Sequence, residues 1–431
     1  MIKQFYILLN FLYFTIIFAL DIGIEQTLVL HDPEILPLND STSGSNFLKY
    51  LDSNFELTFA DYNNDEISLF YNDEESIRFD NIILFPSSKK TINNKKNLNQ
   101  HNLLKFINLK GNVLVIGGSE STSLPEPFRI WLNELGIYPA PKNYKYIDHF
   151  NTKLSEKNNL IKNNIVDSLK VESYDGSAAL ITNNELIFPI ISSSKTGYTN
   201  KVGTPIDQES TWTFGTQGYL AVAFQALNNA RVAWIGSIDL LNQVEIYEWV
   251  FQKKNTLRLQ FAQHVNNEDP SKINPTLYRI KDQAIYTIGI SEFKNGQWVP
   301  FEIGDGSDLT PQLSFKMLDP YQKLNLEKLG KVSSKEKGDL DTFAYFVNFT
   351  VPDHHGMFTF ELDYKRHGYS WILDKKIVTV RHLANDEFKR SWDITNSWLY
   401  IASTLLVIIA WFLFVVNYIY VGKVNYKKKD Q

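Results

Sequence analysis

The run WLYIASTLLVIIAWFLFVVNYIYV, Trp398 to Val421, contains no charged residue. As a helix at 1.5 Å per residue it spans about 36 Å, enough to cross a hydrocarbon layer with some tilt. Trp392, Trp398 and Tyr400 flank one end and Tyr418 and Tyr420 the other, where amphipathic rings favour the interface. Asn417 lies close enough to the end for its amide to reach headgroups. A buried core helix would need a partner domain beyond it, and only GKVNYKKKDQ follows. The expectation is one transmembrane helix over 398–421, and the other segments are read around it.

Lys423, Lys427, Lys428 and Lys429 follow the span, so the positive-inside rule puts the tail 422–431 in the cytosol. At the other end, Lys3 precedes an apolar stretch from Phe5 to Leu20. Residues 1–20 read as a signal peptide cleaved between Ala19 and Gly23, with a retained anchor as the alternative. Both signals predict a single-pass type I protein whose bulk lies in the secretory lumen. Lys428 and Lys429, fourth and third from the end, fit a dilysine retrieval signal to the endoplasmic reticulum. A basic stop-transfer flank is the competing explanation.

Composition excludes some chemistry. Cysteine is absent, which removes disulfides, thiolate metal sites and thiol nucleophiles. A formal net charge of −5 carries no basic signature of nucleic-acid binding.

Between the membrane signals the pattern divides in two. Over 21–255, the runs TLVLHD, FELTFAD, DNIILFPSS and NVLVIGGS read as strands buried on both faces. NLNQHNLLKFINLK and LPEPFRIWLNELGI read as helices, the second opened by Pro125 or Pro127 and capped by Gly136. That alternation predicts a lumenal α/β domain with a parallel, Rossmann- or flavodoxin-like sheet. The NN of ALNNARVAWIG suggests a hairpin, and QVEIYEWVFQKK a closing helix. Over 256–390 short strands and turns, including the NG of FKNGQWV, predict a β-sandwich domain.

Candidate chemistry is sparse. Ligands of parallel sheets sit at strand carboxyl ends, which here offer His31, Asp32, Gly117, Gly118, Ser119, Asp148 and His149. IGGSESTSLPEP lacks phosphate-loop spacing, so its glycines read as turn formers. Ser119 lacks the G-x-S-x-G context of a hydrolase nucleophile. His354 and His355 are adjacent, and spacing of that kind does not converge on a metal. The sequence therefore assigns no catalytic residue, no metal and no cofactor. Asn39 (NDS) and Asn348 (NFT) are N-glycosylation candidates, the latter only if it points outward from its strand.

Long blocks carry a resemblance: LNELGIYPAPK, LNNARVAWIGSIDL, NGQWVPF, DHHGMFTFELDYKRHGY and RHLANDEFKRSWDITNSWLYI. From about Thr27 to Gln431 the chain resembles the fungal wheat-germ-agglutinin-binding (Wbp) and animal DDOST family of oligosaccharyltransferase subunits. The signal region and the loop Lys89–Gln100 do not carry it. The resemblance implies a non-catalytic subunit of the endoplasmic reticulum complex that moves a preassembled oligosaccharide from a dolichyl diphosphate carrier to Asn of N-x-S/T sequons. It implies as partners a catalytic STT subunit, a ribophorin-two-like Swp subunit and a small DAD-like subunit. Membrane lipid, dolichol-linked oligosaccharide and nascent polypeptide are further expected contacts. A lumenal α/β hydrolase and a cargo or lectin-type receptor are the alternatives. The first needs a nucleophile–base pair, and the second needs export that the lysine tail opposes.

Overall fold

Short apolar runs become fully buried strands in the first region of the chain. The computed structural model describes residues 25–35, 46–64, 67–71, 76–94, 96–294, 296–304, 309–333, 341–388, 396–420 and 422. The expected signal peptide, Asn39, Trp392 and Lys423–Lys429 lie outside the described residues.

Strands β1 (Gln26–His31), β2 (Glu56–Asp61), β3 (Asn81–Leu84) and β4 (Asn112–Ile116) alternate with α1 (Asn46–Asn54), α2 (Gln100–Asn108) and α3 (Glu126–Leu135). Smaller elements follow: β5 (Ile137–Pro139), β6 (Tyr144–Ile147), α4 (Glu156–Asn159), β7 (Ala179–Ile181), β8 (Ile187–Ser192), β9 (Tyr198–Lys201) and β10 (Thr211–Phe214). Strands β11 (Tyr219–Gln225) and β12 (Arg231–Ile235) and helix α5 (Val244–Val250) complete the region.

The sheet order is β2-β1-β3-β4-β12-β11-β7-β5, with β8 also paired to β11. From β2 to β12 every pairing is parallel. From β12 onward the pairings are antiparallel. The sheet is therefore mixed, where the sequence suggested a parallel one. The reason is local: the turn 226–230, with Asn229 at φ 70°, returns the chain directly, and a parallel neighbour would need a long crossover. Leu28, Leu30, Val113 and Trp234 pack on one face with Phe106 of α2 and Phe128 and Trp131 of α3. Val29, Ile83, Leu114 and Ile235 pack on the other face with Leu51 of α1 and Trp249 of α5. Helix α3 starts after Pro125, with Pro127 in its first turn, and Gly136 ends it at φ 92°.

The second region has two sheets. The strands are β13 (Thr256–Asn266), β14 (Asp269–Ile273), β15 (Leu277–Arg279), β16 (Gln283–Lys294), β17 (Gln297–Pro300), β18 (Gln312–Lys316), β19 (Pro320–Asn325), β20 (Glu327–Val332), β21 (Thr342–Thr350), β22 (Gly356–Tyr364) and β23 (Ile372–Arg381). One sheet runs β14-β13-β16-β21-β20, with β17 on β16; the other runs β15-β23-β22-β18-β19. Alternate side chains of both sheets meet in one core, where the rings of Tyr286 and Phe360 stack at 5.7 Å. Strands β16 and β17 pair as a hairpin, and Gly296 of the NG signal stands between them at φ 77°.

The loop between β22 and β23 joins the two regions. Trp249 Nε1 donates to Gly368 O at 2.8 Å, and Asn164 Nδ2 to His367 O at 2.9 Å. Gln225 Nε2 donates to Tyr369 O at 3.0 Å, while the Trp371 amide donates to Asn229 Oδ1 at 2.7 Å. The last helix, α6 (Ser397–Ile419), has 23 residues, and none is buried against the rest of the protein. Ser403 and Thr404 hydroxyls both donate to Tyr400 O, at 2.9 and 2.8 Å, so these polar groups are satisfied within the helix.

Candidate functional site

The sheet order reverses between the neighbouring strands β1 and β3, and open α/β sheets bind ligands outside the strand ends at such a point. His31 ends β1, and Asp32 follows it. The Asp32 carboxylate accepts from Ser87 Oγ at 2.7 Å, Ser88 N and Ser88 Oγ at 3.1 Å each, and Glu34 N at 3.1 Å. Burial raises its pKa, but these bonds outweigh that effect and leave the carboxyl below its ordinary value. Ser87 also exchanges backbone bonds with Ser123, at 2.9 and 3.0 Å, and Lys142 Nζ donates to Ser88 O at 2.5 Å. Asp32 thus ties the loops after β1, β3 and β4 together. Its acceptor capacity is spent on the protein's own donors.

His31 is also turned inward. Burial lowers its pKa against the opposing charges of Asp61 and Asp32, and its Nδ1 is buried without a hydrogen-bond partner. Ser119 sits beyond β4, where its carbonyl accepts from the Thr122 amide at 3.0 Å. Gly117 and Gly118 shape that turn: a Cβ at Gly118 would lie 2.4 Å from Thr122 Oγ1.

Asp148 and His149 do not belong to this crevice. They follow β6, which pairs with β9 in a separate sheet of order β10-β9-β6. Asp148 accepts from Ser194 Oγ, from Thr196 Oγ1 at 2.9 Å, and from the amides of Phe150 and Asn151 at 2.9 Å. Burial raises its pKa, yet the bonds prevail and bring it to about 2. His149 Nε2 lies 2.9 Å from Tyr198 Oη. An open cavity of about 500 Å³ adjoins this network, lined by Lys195, Thr196, Tyr198 and Phe214 among others.

His149 therefore lies on a different sheet from His31, Asp32 and Ser119, and no hydrogen bond pairs a nucleophile with a base among these four residues. His354 and His355 diverge, the first beside Tyr321 at 5.3 Å and the second beside His382 at 4.2 Å. Among the described residues no group of three or more His, Asp or Glu side chains could hold a metal ion. Asn348 is exposed on β21, between buried Val347 and Phe349. Sequence reading missed Ser87, Ser88, Ser194 and Thr196; the polar cluster ending DNIILFPSS was the available signal for the first two.

Arg231 is another residue the sequence did not single out. It is fully buried, and its guanidinium donates to the carbonyls of Trp249 (2.7 Å), Lys254 (2.9 Å) and Asn255 (2.9 Å) and to Ser370 Oγ (2.9 Å). Burial lowers its pKa to about 9, still cationic at neutral pH.

Two family models match end to end: "OST48, N-terminal domain" over residues 19–267 and "OST48 middle domain" over 263–422. The chain belongs to the OST48 family. Its similarity to "Dolichyl-diphosphooligosaccharide--protein glycosyltransferase subunit WBP1" of Saccharomyces cerevisiae is 36% identity over 95% of each chain. To the Schizosaccharomyces pombe wbp1 subunit it is 28% identical, over 86% of this chain and 87% of that one. To the 48 kDa subunit of Danio rerio it is 28% identical, over 94% and 95%. The OST48 boundary near residue 265 falls within β13, close to where the α/β elements give way to the sandwich.

Proposed function

We infer that this OST48 chain is a non-catalytic subunit of the oligosaccharyltransferase complex of the endoplasmic reticulum. In that role it supports transfer of a preassembled oligosaccharide from dolichyl diphosphate to Asn of N-x-S/T sequons. The observation that carries the reading is similarity to the yeast subunit along 95% of both chains, together with an OST48 middle-domain match that extends over the C-terminal apolar helix. The separation of His149 from His31, Asp32 and Ser119 agrees with a supporting role. Neither a hydrolase nor a cargo receptor is favoured.

The finer reading extends this. A cleaved signal over 1–20, lumenal regions over 21–255 and 256–390, and a cytosolic tail carrying Lys428 and Lys429 give a type I protein retrieved to the endoplasmic reticulum. The five parallel strands in the order β2-β1-β3-β4-β12 support a flavodoxin-like description of the first region. Its neighbours are the catalytic STT, Swp and DAD-like subunits, and its lumenal regions position donor or acceptor. Copurification in gentle detergent tests the assignment. Recovery with subunits of the transferase supports it, and isolation of the chain without them contradicts it. For the tail, the span and residues 422–431 on a reporter should lose retrieval when Lys428 and Lys429 become Ser.

A further inference from the structure

Several exposed apolar side chains of the sandwich lie together at one end, while others, such as Leu373 and Leu329, stand elsewhere. Leu277 on β15, Thr379 on β23 and Met357 on β22 stand in one register row across three strands, all facing away from the core. Leu277 is 51% and Met357 63% exposed, as is Ile377 (63%) in the adjacent outward row. The β18–β19 turn extends the patch. Met317 Sδ lies 3.0 Å from where a Cβ of Gly356 would sit, and Leu318 beside it is 90% exposed. Tyr321, His354, His355 and His382 rim this end through the ring contacts at 5.3 and 4.2 Å. Lys281 adds a cation, paired with Asp353 at 2.7 Å.

The chain leaves the sandwich here. Arg381 ends β23, and Glu387 folds back to accept from Arg381 at 2.6 Å and from Arg279 at 3.3 Å. Glu387 is therefore fixed to this end, and α6 begins at Ser397. Nine residues separate them, and the ten steps from Cα to Cα reach at most about 35 Å when fully extended. Where α6 enters the bilayer, the patch can be no farther away than that tether allows.

We propose that this end of the sandwich rests on the lipid surface, with Met317, Leu318 and Met357 inserted at the interface. Tyr321 and the three histidines then lie at headgroup level, where side chains with an apolar body and a polar tip are favoured. The tether holds the patch at high effective concentration over the bilayer, so a small apolar area suffices. The proposal rests on α6 spanning the membrane and not on the subunit assignment.

The chain has no cysteine, so a single introduced one can be labelled without background. Leu318→Cys, Met357→Cys, Val407→Cys in α6 and Leu227→Cys would each carry an environment-sensitive dye. Leu227 is a control for exposure: its turn is joined through Asn229 to Trp371, at the opposite end of β23 from Arg381. The full chain, alone and copurified with its complex, is placed in phosphatidylcholine vesicles containing nitroxide-labelled phospholipid, with iodide as the aqueous quencher. The dyes at 318 and 357 should be quenched by lipid nitroxide several-fold more than that at 227, and less by iodide. Iodide quenching at 318 equal to that at 227, with no lipid quenching, would overturn the proposal. So would shielding from both quenchers in the complex only, which means that a protein covers the patch. Absent lipid quenching at 407 would overturn the spanning helix and the proposal together.

Discussion

Arg231 Nη2 donates to Ser370 Oγ at 2.9 Å, linking residues 139 positions apart across the junction of the α/β region and the sandwich. The same guanidinium lies over the Trp249 ring, 4.8 Å from its centroid. A buried cation with no acid beside it among the described residues is stabilised here by three carbonyls and a hydroxyl, which only the planar fork of arginine reaches together. The junction is thus built as a fixed connection.

Arg231→Met should destabilise the protein by about 2–4 kcal/mol, because it strands buried acceptors at Trp249, Lys254 and Asn255. Ser370→Ala removes one partner and should cost about 1 kcal/mol. Thermal unfolding measures both, and limited proteolysis in the loop 365–371 should accelerate in Arg231→Met. Equal melting temperatures for Arg231→Met and the unsubstituted chain would show that the junction does not depend on this group.

Gly236 follows β12 where two backbones touch. A Cβ there would lie 2.0 Å from Ser177 O and 2.2 Å from Tyr174 Oη. Gly236→Ala should therefore cost about 1–3 kcal/mol through overpacking against rigid backbone. Gly203, with nothing within 4 Å of its Cβ position, carries only the strain of φ +77°. Gly236→Ala should lower the melting temperature more than Gly203→Ala; the reverse order would refute the close approach.

His264 titrates with a defined sign. Its ring stacks on Phe360 at 4.5 Å and its Nδ1 lies 2.8 Å from Tyr278 Oη. Burial, helped by Lys376, lowers its pKa from 6.5 to about 4. Between those values the unfolded chain binds more protons than the folded one, so stability rises with pH across this window and is lost as pH falls through it. His31, also lowered by burial, acts in the same direction, while Asp148 acts at lower pH, toward its value of about 2. Melting temperatures followed across the His264 window should fall less steeply for His264→Gln than for the unsubstituted chain. Parallel curves would show that His264 does not carry this dependence.

Asn348 is exposed and belongs to an N-F-T sequon. In microsomes the full chain should lose one endoglycosidase-sensitive gel step in Asn348→Gln. An unchanged pattern would mean that the site stays empty or faces the cytosol.

What the sequence made legible was local. Pro125, Pro127 and Gly136 delimited a helix because each restricts its own backbone, and the NG and NN turns marked hairpins for the same reason. The buried runs identified their strands by composition. Pairing partners were less accessible: the NN turn sets β11 against β12, but β7 and β5 are as apolar as parallel strands, and nothing local fixes their direction. The same limit explains the candidate residues. Asp32 looks like a catalytic carboxylate at a strand end until Ser87 and Ser88, 55 and 56 residues away, occupy its oxygens. Asp148 likewise depends on Ser194 and Thr196, and the Arg231 clamp on a loop from the other region. Contacts at such separations come from topology, which single positions do not encode.

The central claim is that this OST48 chain supports glycan transfer without taking part in the chemistry. It is tested most directly by occupancy of a reporter sequon, measured per amount of assembled complex, in cells relying on His31→Ala, Asp32→Ala, Ser119→Ala or His149→Ala chains. Asp32→Ala should reduce the amount of complex, because it releases Ser87, Ser88 and the Glu34 amide. Transfer per complex should stay close to that of the unsubstituted chain for all four. A variant that assembles normally and loses most of its transfer would contradict the account.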